Sequence, residues 1–412
     1  MFRNIFGGFI RLLQMIIHVS VEKAEKPAFV NKPYFLLITI GTAKYASEER
    51  EIVASLINKG INVLTVYPDG RVRYSRTGIL LSITSILKVD DYAWAMYNWF
   101  KSIISGTHNL FFCESKKRSL FVASISSIRH YFISFVLSER IIALQGLPIA
   151  VLSLCPFSGT SVAIVDNMKK HRVMTAGIRT QSTALELEHA SINTDILFCK
   201  SLNEKSMYKK FFLEDNPILV DACLLSTPED YHNDLLILPH KYVLVLGTGI
   251  ASGQNLSDYI AFNERLICVA AKANLPIVFK GHNLAIDFDN EWFAKKPHDV
   301  HVTLRITDLK YNRQLINDAD LIISPYSTLL YYVILQNKPF IIVETDPRFN
   351  PTPDEFQMAP ITRINWGQPI ELLNIDWTAL NISSYNASIW FKNIYFIEKN
   401  ADYLVNYLIE YG

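Results

Sequence analysis

"DLIISPYSTLLYYVILQNKPFIIVE", Asp320 to Glu344, places a short apolar run before Ser324-Pro325, a longer one before Asn337-Lys338-Pro339, and a third after it. The first run, "DLIIS", reads as a buried strand. Pro325 has no amide hydrogen to give a ladder, so the strand ends there. Ser327 and Thr328 are N-capping types, and they open a helix over "LLYYVILQN". A strand that turns at once into a helix presents free amides at its carboxyl end. With the hydroxyls of Ser324, Ser327 and Thr328 these make an anion pocket suited to a phosphate. Plain N-capping without a ligand is the competing reading of the same residues.

Outward from this stretch, strands and helices alternate. "YFLLITIG" (34–41) reads as a buried strand, followed by the helix "SEEREIVASLINKG" with Ser47 as N-cap and Gly60 as C-cap, then the strand "INVLTVYPDG". This is a β-α-β unit, which calls for a parallel sheet. Further strands are expected at "NLFFCES", "PIAVLSL", "HRVMTAG" and "TDILFCK", with a capped helix at "SLNEKSMYKKFF". Near residue 236 the pattern restarts. "HKYVLVLGTGIASGQ" is a strand into a glycine-rich turn, the next helix carries Ile260, Leu266, Ile267 and Ala270, and "IVFKGHN" follows as a strand. "DVHVTLRI" and "TDLKYNRQLINDA" then lead as strand and helix into the opening stretch.

The expected fold class is α/β: two doubly wound Rossmann-like domains facing a cleft. A C-terminal helix or helix pair, "SIWFKNIYFIEKNADYLVNYLIEYG", is expected beside them, with packing back on the first domain as one option. The expected divisions are a terminal segment over 1–27, an N-terminal domain over 28–235, a C-terminal domain over 236–385 and a terminal helix over 386–412. The polar, proline-broken "LLSTPEDYHNDLLILPH" serves as the linker.

Composition narrows the function. The chain has 412 residues, of which 50% are hydrophobic and 19% charged, which suits two folded domains. A net charge of +1 leaves no basic footprint for nucleic acid. Five cysteines without C-x-x-C spacing read as buried thiols of a reducing compartment, and no Cys/His pair has zinc spacing. In the first 27 residues, Phe2, Ile5, Phe6, Phe9, Leu13 and Ile16 can share one helical face edged by Arg3 and Arg11. Residues 1–20 therefore suit either a helix lying in a membrane interface or a first helix packed on its own domain. Without a cleavage site or a spanning run, a cytoplasmic protein is expected, in the first case peripheral on the inner face of the cell membrane.

Three strand-end loops of the second domain carry groups suited to phosphate: Gly247, Thr248 and Gly249; Lys280 and His282; Ser324, Tyr326, Ser327 and Thr328. Neither a dinucleotide fingerprint nor a Walker loop is present. "SPYSTLLYYVILQNKPFIIVETD" resembles the donor-binding segment of GT-B glycosyltransferases that build bacterial surface polymers. The CDP-glycerol glycerophosphotransferases and the capsule and lipopolysaccharide transferases are the nearest likeness, and "FKGH" is similar to their K-x-H-P segment. The likeness spans residues 240–350. It implies a nucleotide-activated donor, donor-phosphate contacts at His282, Ser327 and Thr328 with Lys280 nearby, a glycan or lipid-linked acceptor, and no metal or other cofactor. The sequence departs from that pattern at Pro325, where the family has Asp, at Tyr332, where it has an acidic residue, and at Asn283, where it has Pro.

A transferase also needs a group for the acceptor. "GIRTQSTALELEH" offers Glu186, Glu188 and His189, any of which could act as base or as covalent nucleophile. The alternative is a solvated helix face. A nucleotide-sugar epimerase or hydrolase, or a non-catalytic relative, stands as the competing function. "DFDNE" (287–291) reads as acids in a loop with no partner histidine at ligand spacing.

Overall fold

The computed structural model describes residues 33–39, 46–67, 71–74, 80–82, 86–110, 115–156, 158–178, 192–212, 217–225, 235–247, 255–282, 285–295, 302–327, 329–344, 356, 359–370 and 373–411. The chain divides into two compact units, Met1–Leu224 with Phe396–Gly412, and Leu225–Tyr395.

The first unit runs β1 (Tyr34–Ile38), α1 (Ala46–Asn58), β2 (Asn62–Val66), β3 (Arg71–Tyr74), β4 (Leu80–Ser82), α2 (Val89–Leu110), α3 (Ser115–Gln145), β5 (Ala150–Ser153), α4 (Gly159–Lys170), β6 (Met174–Ile178), β7 (Ile196–Cys199), α5 (Leu202–Phe211) and β8 (Ile218–Asp221). Its sheet has the order β4-β3-β2-β1-β5-β6-β7-β8. The six strands from β2 to β8 in that order pair in parallel, and β3 and β4 are added antiparallel at the edge. β1 is apolar at every position because both of its faces are buried. Leu36 and Ile38 face a core with Trp99, Ile133, Leu137 and Ile164, whereas Phe35 and Leu37 face one with Ile52, Leu56 and Phe198. Gly60 closes α1 at φ +78°, a conformation costly for any residue with a Cβ. The helix begins at Ala46, so Ser47 lies in its first turn and is not its cap.

One expected strand is contradicted at its two ends, and its middle, 111–114, lies outside the described residues. "NLFFCES" (109–115) is flanked by the end of α2 and the start of α3, two helices of 22 and 31 residues. Asn109 and Leu110 close α2 and Ser115 opens α3, since a short aromatic run has no period of its own to favour a strand. The pair is pinned by a bidentate fork from Arg140 to Asp91, with Nε–Oδ2 at 2.6 Å and the second guanidinium bond at 2.9 Å. Among the described residues no helix is long and apolar enough to cross a membrane. The expected interface helix over 1–20 lies outside the described residues.

The second unit runs β9 (Val243–Leu246), α6 (Leu256–Ala271), β10 (Ile277–Lys280), α7 (Ile286–Lys295), β11 (Leu304–Ile306), α8 (Asn312–Asp318), β12 (Leu321–Ser324), α9 (Leu329–Leu335), β13 (Phe340–Val343), β14 (Arg363–Ile364) and α10 (Trp377–Ile394). Its sheet is parallel throughout, in the order β11-β10-β9-β12-β13-β14. The "DFDNE" acids sit in α7 and not in a loop.

The terminal segment is two helices with a division between the units inside it. The expected boundary at 385/386 falls within α10, and the units part at Tyr395/Phe396. α11 (Ala401–Tyr411) belongs to the first unit, where Leu404, Val405 and Leu408 join the core of Phe35, Leu37 and Leu56. The strap leading to α11 is held by Asp221, which takes Lys205 at 2.5 Å and Lys399 at 3.2 Å. Burial by itself would raise the Asp221 carboxyl, but the hydrogen bonds and charges of the two lysines outweigh it and hold the group below its ordinary range.

Because the folded value lies below the unfolded 3.8, this contribution is complete above that value and is lost as pH falls through the folded one. Asp221→Asn should lower stability at pH 7 by up to about 1 kcal/mol, the scale of a partly exposed ion pair. Urea melts should show the gap from wild type narrowing at pH 3. An equal gap at both pH values would deny Asp221 this role.

Candidate functional site

In the second unit the chain goes from β9 outward to β10 and β11, then returns to the other side of β9 at β12. Right-handed crossovers put the connecting helices on opposite faces on either side of this reversal, which leaves a crevice beyond the carboxyl ends of β9 and β12. Gly247 stands at one lip and Ser324-Pro325 at the other, with Lys280 and His282 beside them at the end of β10. The fold thus brings Gly247, Lys280, His282, Ser324, Tyr326 and Ser327 to one sheet edge. Thr248, Gly249 and Thr328, and Glu186, Glu188 and His189 of the first unit, lie outside the described residues.

Each described residue has a local role. Gly247 donates its amide to Lys280 O at 2.8 Å. A Cβ there would sit 2.8 Å from Phe279 Cζ and 3.2 Å from Lys280 O, so only glycine lets β9 end this close to β10. Ser324 is fully buried and donates to Pro325 O at 2.7 Å, which fixes the turn out of the strand. Ser327 is half-buried and caps α9: its Oγ accepts from Leu329 N at 3.3 Å and its carbonyl from Leu330 N at 3.0 Å. Tyr326 packs edge-on against Phe356 and shares a 3.3 Å hydroxyl contact with Tyr331. Tyr332 donates to Asn317 Oδ1 of α8 at 3.0 Å.

Lys280 does not project freely. Its Nζ donates to Gly281 O at 2.7 Å and Thr307 O at 3.0 Å, and the side chain is 4% exposed. Burial pulls the ammonium down to about 8, opposed by Asp308 and Asp289. Sequence pattern does not mark Asp289 as part of this site. It is fully buried, takes a 2.5 Å bond from Tyr259 on Oδ1, and has no partner on Oδ2 among the described residues. Burial raises its carboxyl, against the Tyr259 bond and the charges of Arg305 and Lys280. The available signal was the i, i+3 pairing of Asp289 with Trp292, both buried on one face of α7. Among the described residues no group of three His, Cys, Asp or Glu is arranged to hold a metal ion.

No family model matches this chain, and no curated protein sequence matches it. Solved structures do. MurG of Acinetobacter baumannii is 11% identical, covering 92% of this chain and 100% of its own, with a TM-score of 0.51. The UDP-GlcNAc 2-epimerase of Methanocaldococcus jannaschii, in complex with UDP-GlcNAc and UDP, is 12% identical over 92% and 100%, with a TM-score of 0.50. The spinosyn rhamnosyltransferase SpnG, complexed with thymidine diphosphate, is 10% identical over 91% and 99%, also at 0.50. At these identities the likeness establishes the fold. It is GT-B, and the similar structures include both glycosyltransferases and UDP-GlcNAc 2-epimerases.

Gly247→Ala should destabilise the second unit by roughly 1–3 kcal/mol, the cost of overpacking a filled core, since Phe279 is fully buried and cannot yield. A urea unfolding curve checks this. An unchanged midpoint would mean that β9 and β10 can part at no cost.

Proposed function

We propose that this chain is a metal-independent GT-B glycosyltransferase. It moves a sugar from a nucleotide-activated donor to a growing bacterial surface glycan such as capsule, O-antigen or lipopolysaccharide. The observation that carries the reading is the chain reversal between β9 and β12, which sets Gly247 and the Ser324–Ser327 segment before α9 on the two lips of one crevice. Backbone amides and hydroxyls in that arrangement suit a diphosphate. Support also comes from the ligands of similar folds: SpnG with thymidine diphosphate and the M. jannaschii epimerase with UDP-GlcNAc and UDP. In this reading Ser327, Thr328 and His282 contact the donor phosphates. Gly247, Thr248 and Gly249 let the backbone approach, and Glu186, Glu188 or His189 serves as base or nucleophile toward a glycan or lipid-linked acceptor. Residues 1–20 hold the enzyme at the membrane surface.

A nucleotide-sugar epimerase is the second reading, favoured by the epimerases of equal structural likeness. The two separate cleanly. An epimerase converts the donor to an isomer with no acceptor present, whereas a transferase leaves it intact or hydrolyses it slowly. A thermal-shift screen with UMP, UDP, CMP, CDP and GDP comes first, since a ligand that binds the folded state raises Tm by mass action. Absence of a Tm shift with all five and with thymidine diphosphate would favour a non-catalytic relative, in keeping with Pro325 and Tyr332 standing where the resembled transferases have acids.

Ser327→Ala should weaken the binding nucleotide by roughly tenfold to a hundredfold, the value of a charge-assisted bond to phosphate. Its melting point should fall only as far as loss of one cap demands, about 1 kcal/mol. Unchanged affinity with a lower melting point would leave Ser327 a cap and nothing more. Glu186→Gln, Glu188→Gln and His189→Ala, measured one by one, should include one variant with kcat reduced about a hundredfold or more. Full activity in all three would move the catalytic group elsewhere.

A further inference from the structure

We propose that Lys280, Gly281 and Asp289 form a buried clamp that sets the backbone from which His282 leaves β10, so that Lys280 and Asp289 position His282 and do not bind the donor themselves. The inference deepens the reading of the crevice as a nucleotide site and rests on it for the role of His282.

The Gly281 residue is held on three sides. Its amide donates to Ile306 O at 2.8 Å, tying it to the end of β11. Its carbonyl accepts from Lys280 Nζ at 2.7 Å, and the same ammonium reaches Thr307 O at 3.0 Å. Its Cα lies against the Asp289 carboxylate so closely that an added Cβ would fall 2.2 Å from Oδ2. Asp289 is itself fixed from behind by Tyr259 of α6, and the next turn is closed by Ala285 N donating to His282 O at 2.9 Å.

A lysine at the end of a strand beside a phosphate crevice would ordinarily extend toward the anion. This one folds back onto two carbonyls, and the charges that face it are Asp308 after β11 and Asp289 on α7. Arg305 and Tyr259 complete the set around Asp289. Burying an ammonium is costly, and it is tolerated where several acceptors and counter-charges converge. Here they converge on the peptide that precedes His282. Neutral packing would fill the same space at less cost, so the polar construction is explained by the need to hold that peptide in one orientation.

The test uses the full chain with Lys280→Met, Gly281→Ala and His282→Ala, and two double variants that combine His282→Ala with each of the others. The readout independent of any ligand is the His282 ring Cε1–H resonance, identified by its loss in His282→Ala. It should move in both Lys280→Met and Gly281→Ala. The second readout is calorimetric affinity for whichever of UMP, UDP, CMP, CDP and GDP binds most tightly. Lys280→Met and Gly281→Ala should each weaken it about tenfold, and neither should weaken it further once His282 is alanine, because coupled residues lose additivity. A direct phosphate ligand at Lys280 would instead give additive losses, and that result overturns the proposal, as does an unmoved His282 resonance. If Lys280→Met fails to fold, Gly281→Ala decides alone, since it leaves every charge in place. If no nucleotide binds the wild-type chain, the functional reading fails, and the resonance shift still decides the clamp.

Discussion

The absence of one amide hydrogen, at Pro325, sets where the carboxyl edge of the second unit's sheet ends beside β9. Without that donor β12 stops at Ser324, level with the place where β9 gives way to Gly247. Had β12 continued, the ladder would have extended over the crevice left by the chain reversal. The Ser324 hydroxyl completes the stop by taking Pro325 O as its acceptor, which turns the backbone toward α9. The lips of the crevice are thus defined by backbone chemistry, by a proline on one side and a glycine on the other. Side chains are left to tune what enters.

Most of the parallel-sheet framework could be read from sequence because buried parallel strands are short apolar runs with sharp ends. β1, β2, β5, β6, β7, β9, β10 and β12 all fall inside runs that end in glycine, proline or polar residues. What escaped reading was structure without such punctuation. α2 ends inside the "NLFFCES" run and α3 begins at its last residue, and composition alone cannot choose a period there. β14 is two residues long and is recruited only because β13 offers it an edge. The division at Tyr395/Phe396 could not be seen because both flanking helices are amphipathic, and only packing shows that α11 completes the core of the first unit.

The same limit applies to the site. Gly247, Lys280, His282, Ser324, Tyr326 and Ser327 were legible as strand-end residues, and the topology gathers them at one edge. Their individual duties were not legible. Lys280 looks like a phosphate ligand in sequence, and its direction is settled by carbonyls of Gly281 and Thr307, one of them 27 residues away. Asp289 looks like one acid among several, and its importance lies in contact with a glycine that has no side chain to betray it. Among the described residues at this edge, the charges of Lys280 and Asp289 act on the loop backbone around Gly281.

On the reading proposed above, the crevice between β9 and β12 receives the nucleotide. Amide hydrogen exchange with and without a saturating nucleotide from the screened panel checks this, because exchange reports where a ligand sits without assuming what it is. Exchange should slow in peptides spanning 244–250 and 322–330, with smaller changes at 280–285. Protection confined to the first unit, with those segments unchanged, would contradict it.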